Sequence, residues 1–272
     1  MQRRSKIAFG LALAATAALA LAGCSTGAGS APTESAGGGT DYGLITAGTL
    51  TVCSDIPYKP FEYEESTGSG QYTGFDVDLL TAIAKKLDLK TQFQVTNFDT
   101  LQSGTALLAG QCDMGASAMT ITDDRKKNID FSDGYYDSLQ SLLVKTSSGI
   151  KDINGLSGKN VGVQQGTTGE NYAKEHAKGA NLVQFSDDGV LWPALQGGQI
   201  DAILQDLPVN LQHEKDDPSY KVVETYKTNE EYGFAFAKGK NATLREAINA
   251  QLKALKDNGE YKTIYDKYFT AK

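Results

Sequence analysis

Residues 113–125 read Asp-Met-Gly-Ala-Ser-Ala-Met-Thr-Ile-Thr-Asp-Asp-Arg, and this stretch decides how the rest of the chain is understood. Residues 114–118 form a short apolar run that predicts a buried strand. Thr120, Ile121 and Thr122 follow, then two acids and Arg125. Thr122 suits a helix N-cap, and Asp123 and Asp124 suit the positive end of a helix dipole. A strand running straight into a helix start gathers backbone N–H groups and two hydroxyls at one place. Arg125, in the first turn, adds a planar fork that fits a carboxylate through two parallel hydrogen bonds. The same pattern also describes a solvated helix start with a weak ion pair, so the decision rests on the rest of the chain.

At the N-terminus, Arg3, Arg4 and Lys6 precede an uncharged Ala- and Leu-rich run, 7–21, closed by Leu21-Ala22-Gly23-Cys24. Residues 1–23 are expected to be a secretory signal, too short and wrongly flanked for a transmembrane span. A cysteine directly after small residues resembles the bacterial lipobox, which implies lipidation of Cys24 and peripheral membrane attachment. Residues 24–44 read as a tether, because 25–41 is mostly Gly, Ser, Ala and Thr and cannot bury a core. Such a segment spans on the order of 20–25 Å root-mean-square.

Cys53 and Cys112 remain in an exported, oxidising setting. Cys53 sits in a predicted strand and Cys112 just before the strand at 114, so a disulfide is expected if those strands are neighbours. Two buried thiols are the alternative. Setting aside the three basic residues of the signal leaves 23 Lys and Arg against 33 Asp and Glu, a net charge of −10. So acidic a chain argues against nucleic acid or an anionic membrane surface as partner.

From residue 49 strand-like runs appear at 49–54, 91–95, 114–117, 140–144, 160–163, 182–185, 202–205 and 232–236. Helical periods fall between most of them, at 76–87, 100–108, 169–178, 190–195 and 207–215, and two helices, 242–257 and 259–268, close the chain. Alternating strands and helices predict an α/β fold with parallel sheets and crossover helices, and about 230 residues suffice for two small lobes. His176 and His213 each stand among Lys and Glu and read as solvated. No zinc-ligand spacing or phosphate loop occurs, so no metal and no cofactor is expected.

Several stretches together resemble the bacterial extracellular solute-binding proteins for polar amino acids, the binding component of ABC importers. They are Gly74-Phe75-Asp76-Val77-Asp78-Leu79, the opening stretch with Arg125, Phe131-Ser132-Asp133-Gly134-Tyr135-Tyr136, Val161 to Gly169, Ile200 to Asp206, and Asn258-Gly259-Glu260-Tyr261. The resemblance implies a two-lobed periplasmic-binding-protein-like (type II) fold, each lobe a mostly parallel sheet flanked by helices. Lobe one is expected over 45–139 and lobe two over 140–229, with 230–272 returning to lobe one. The two crossings fall near 135–139 and 230–234, and the ligand lies between the lobes at the carboxyl ends of the strands.

Carried over residue by residue, the resemblance implies that Arg125 holds the α-carboxylate of the ligand, helped by Thr120 and the N–H of Thr168. Asp206 accepts the α-ammonium with the Ala118 carbonyl. Tyr58 and Phe98 sandwich the side chain, while Asp55, Ser117, Gln164 and Gln205 read its far end. A basic side chain, as in arginine, lysine or histidine, is favoured over glutamine, since relatives preferring glutamine tend to carry lysine in place of Gln164. Ala118 and Thr168 stand where the family often has Gly or Ser. The expected partners are an amino acid, an ABC permease and, through the lipid, the outer face of the bacterial cell membrane; a monomer is expected. Two other classes compete: a dehydratase on this fold, which needs a general acid in the cleft, and a ligand-sensing subunit for a separate receptor.

Overall fold

The computed structural model describes residues 40–270. The expected signal, Cys24 and most of the tether lie outside the described residues. The tether ends earlier than residue 44: Tyr42 and Leu44 already pack on a core, and the Ile45 N–H donates to Asp113 Oδ1 at 2.8 Å.

The chain first forms β1 (Thr49–Ser54), β2 (Tyr63–Glu64), β3 (Tyr72–Thr73), α1 (Phe75–Lys86), β4 (Lys90–Val95), α2 (Phe98–Gln102) and α3 (Thr105–Leu108). Next come β5 (Met114–Gly115), β6 (Ile129–Phe131), β7 (Tyr136–Lys145), β8 (Asn160–Gln164), α4 (Thr168–His176), β9 (Asn181–Phe185) and α5 (Asp188–Gln196). The last are β10 (Ala202–Asp206), α6 (Leu207–Asp216), β11 (Tyr220–Tyr232), β12 (Ala235–Ala237), α7 (Ala242–Asn258) and α8 (Glu260–Phe269).

Two five-stranded sheets result, ordered β4-β1-β5-β12-β6 and β11-β7-β10-β8-β9. β1 runs parallel to β4 and β5, and β8 parallel to β9 and β10; β12 and β7 join their sheets antiparallel. Leu50 to Ser54 of β1 are all buried, as a central strand covered on both faces requires. α1 lays Phe75, Val77, Leu79, Leu80, Ile83 and Ala84 inward, with Asp76 and Asp78 at its positive end and Lys85 and Lys86 at its negative end. Leu244, Ile248, Leu252 and Leu255 of α7 fill the same core as α1 and β1. Cys53 and Cys112 form a disulfide, with β1 beside β5.

β7 and β11 carry the chain between the sheets, side by side. Tyr136 pairs with Tyr232, Asp137 with Glu231 and Ser138 with Glu230; the register then shifts before Tyr226 meets Gln140. Tyr232 also bridges to Thr120 of the first lobe.

Three predicted elements differ. β11 starts at Tyr220, well before the predicted run at 232, because it is an edge strand whose Lys221, Glu224, Thr225 and Lys227 dilute its apolar pattern. The predicted helix over 100–108 is broken by Gly104 at φ 81°. Arg125–Lys127 is a single 3₁₀ turn instead of an α-helix, because β6 begins only two residues later; Thr122 Oγ1 still accepts the Arg125 N–H at 3.2 Å.

Candidate functional site

Strands β1, β8 and β10 end at the gap between the two sheets, where the chain leaves them for loops and helix starts. A small cavity lies there, lined by Asp55, Tyr58, Phe98, Ser117, Ala118, Thr120, Arg125, Gln164, Thr167, Thr168 and Asp206. Ten of the eleven residues expected at the site therefore surround one space, and Thr167 joins them.

Gln205 does not. Successive residues of a strand point to opposite faces, so with Asp206 turned to the cavity, Gln205 turns away. Its Nε2 donates to Asp188 Oδ1 at 3.0 Å and to Asn210 Oδ1 at 3.1 Å. His213 belongs to that same network and is buried, against the expectation of a solvated face. Its Nε2 lies 3.0 Å from Asp188 Oδ1 and its ring stacks on Trp192 at 4.3 Å.

Arg125 is 5 % exposed. Its Nη1 donates to the Thr120 carbonyl at 2.8 Å and its Nη2 to the Gly166 carbonyl of the second lobe at 3.0 Å. Its guanidinium carbon stands 5.0 Å from the centre of the Phe98 ring. These partners orient the guanidinium without neutralising it. Burial lowers its pKa to about 10, which still leaves it charged at neutral pH, while Asp206 and Glu230 favour that charge through space. Among the described residues it is the only cationic side chain lining the cavity. Lys59 points outward and pairs with Asp216 at 2.9 Å.

Asp206 sits at the N-cap of α6 but caps nothing. Its carboxylate instead accepts from the Tyr58 hydroxyl at 2.8 Å, from the Tyr232 hydroxyl at 2.6 Å, and from Gln140 Nε2. Burial pushes its pKa up to about 7 and the Glu230 charge adds, against the pull of those three donors.

At the other end, Gln164 Nε2 donates to Asp55 Oδ2. Ser117 Oγ accepts the Asp55 N–H at 3.1 Å and donates to the buried Glu62 Oε1 at 2.8 Å. Burial raises Asp55 to about 7; the Gln164 bond opposes this, and the charges of Asp187 and Asp188 add to it. This end of the cavity is rich in acid.

Thr120 and Thr168 both direct their hydroxyls at Glu230 Oε2, each at 2.8 Å. A hydroxyl has one proton, so the Thr120 oxygen offers lone pairs to the cavity rather than the donor expected for a carboxylate. Ala118 has φ 42° and donates its N–H to Asp76 Oδ2 at 3.0 Å. That left-handed backbone suits glycine better than alanine.

Glu230, Gln140, Glu62 and Thr167 escape sequence reasoning. Glu230 stands in the polar run Lys227-Thr228-Asn229-Glu230-Glu231, whose composition signals only solvent exposure.

A family profile for bacterial extracellular solute-binding proteins, family 3, matches residues 50–271, which places the chain outside the cytoplasm. The ABC transporter glutamine-binding protein GlnH of Bacillus subtilis (strain 168) is 36 % identical over 209 residues, 75 % of each chain. The arginine-binding extracellular protein ArtP of the same organism is 35 % identical over 227 residues, 81 % of this chain and 86 % of the relative. A solved structure of an ancestral arginine-binding protein bound to arginine is 38 % identical with a TM-score of 0.76, over 82 % of this chain and 99 % of that one. The two sheets and their paired crossing strands are thus the two-lobed type II periplasmic-binding architecture. By its matched length and its relatives, the chain belongs to the bacterial extracellular solute-binding proteins, family 3.

Proposed function

We propose that this protein binds a polar L-amino acid between its lobes and delivers it, unchanged, to an ABC permease. One observation carries this reading: a buried, charged Arg125 from the first lobe and a buried Asp206 from the second line a single small cavity. Stripping a zwitterion of water costs several kcal/mol per charge unless each charge meets a partner. Arg125 suits the α-carboxylate, and Asp206 the α-ammonium with the Thr120 lone pairs. Because the two charges belong to different lobes, ligand favours the closed arrangement.

A basic side chain suits the far end best. Asp55 faces it, with Asp187, Asp188 and Glu62 behind, and the Tyr58 ring offers a face to a cation. Relatives named for arginine and for glutamine support both as candidates, and the acidic far end ranks arginine first. Export through residues 1–23, anchoring through a lipid on Cys24 and a monomeric protein complete the proposal, with lobe two over 140–229 and both flanking segments in lobe one. Arg125→Ala is expected to abolish amino-acid binding in calorimetry, and retained affinity overturns the reading. A thermal-shift screen of the twenty amino acids identifies the ligand, since saturation at 100 times the dissociation constant stabilises by about 2.7 kcal/mol.

A further inference from the structure

We propose that Glu230 is a latch that holds the two lobes together independently of which ligand lies between them. It stands on β11 inside the crossing, directly after the register shift and after Asn229, whose φ is 53°. Its side chain is buried and gathers donors from both halves. Thr120 Oγ1, from the first lobe, reaches Oε2 at 2.8 Å, and Thr168 Oγ1, at the start of α4 in the second lobe, reaches the same oxygen at 2.8 Å. Gln140 Nε2, on the neighbouring crossing strand, reaches both carboxylate oxygens at 3.1 Å.

Several other bonds across the gap are of a different kind, while the exposed Lys59–Asp216 pair contributes little. Asp55 with Gln164 and Tyr58 with Asp206 join two cavity-lining groups, so an entering amino acid competes for them. Glu230 is not among the lining residues; it sits behind two that are. Holding Thr120 and Thr168 at once requires the lobes to be together, and a ligand that uses the outward lone pairs of those hydroxyls leaves them donating to Glu230. Gln140 also donates to Asp206, so the latch and the second-lobe carboxylate share one amide. Glu230 is thus a positioning residue: it sets the closed fraction available to any ligand, and apparent affinity scales with that fraction.

The proposal concerns the closed arrangement, and it rests on the amino-acid reading only for its binding readout. Glu230→Ala and Glu230→Gln are compared with the parent protein by calorimetry with arginine and glutamine, by stopped-flow dissociation, and by small-angle scattering without ligand. Circular dichroism confirms that each variant is folded. Glu230→Ala is expected to weaken both ligands by the same factor, about 10- to 100-fold, through faster dissociation, and to expand the ligand-free protein. Glu230→Gln, which keeps one acceptor oxygen, falls between. Unequal losses for the two ligands, or a ligand-free scattering profile unchanged by Glu230→Ala, overturn the latch. If the parent protein itself binds no amino acid, the proposed function falls, and scattering alone still decides whether Glu230 holds the lobes.

Discussion

Asp206 meets the ligand ammonium only when ionised, and its environment raises its pKa to about 7. Below pH 7 the empty site holds a proton that binding must expel, so amino-acid affinity falls as pH drops, by up to about tenfold per pH unit. Calorimetry between pH 5 and 8, in buffers of different ionisation enthalpy, reads both the fall and the released proton; a flat profile contradicts the assignment. Asp55 acts at the other end of the ligand, where Gln164 is its hydrogen-bond partner. Asp55→Asn is expected to weaken arginine about 10- to 100-fold and to leave glutamine nearly unchanged, because one charge-assisted hydrogen bond contributes roughly 1.5–3 kcal/mol. Equal losses for the two ligands in a titration show that Asp55 does not read side-chain charge.

The turn into α1 shows how one element depends on a single backbone conformation. Gly74 has φ 132°, and a Cβ placed there meets the Phe61 carbonyl oxygen at 2.0 Å. That carbonyl cannot retreat, since it accepts the Asp76 N–H at 3.0 Å while Pro60 O accepts the Phe75 N–H at 3.0 Å. Gly74→Ala is therefore expected to destabilise by about 3 kcal/mol or more in urea unfolding, combining strain with a displaced helix start. A loss below about 1 kcal/mol means that the helix start shifts freely. The consequence reaches the cavity, because Asp76 in the first turn of α1 holds the Ala118 N–H and accepts the Tyr135 hydroxyl at 2.6 Å.

Across the whole molecule, the disulfide joins β1 to the segment entering β5, closing a separation of 59 residues within the first lobe. Chain-entropy reasoning assigns such a link about 4 kcal/mol. The paired change Cys53→Ala and Cys112→Ala is expected to lower unfolding stability by a comparable amount. Since neither cysteine lines the cavity, amino-acid affinity at 25 °C is expected to stay within about twofold of the parent. A large affinity loss in calorimetry on the folded variant locates the disulfide's role in the site instead of in stability.

Sequence by itself determined what depends on local order: the alternation of apolar strands and amphipathic helices, the corner at Arg125, and the family to which the motifs belong. The family resemblance, carried over residue by residue, also assigned Asp206, Tyr58 and Gln164 to one site. Only the tertiary structure decided which face each side chain took. Gln205 and Asp206 are adjacent and polar, yet strand alternation sends one into a buried network with Asp188 and His213 and the other into the cavity. Glu230 was illegible for the same reason. A carboxylate in a polar edge strand carries no mark of burial until folding brings Thr120, Gln140 and Thr168, all distant in sequence, within hydrogen-bond reach of it.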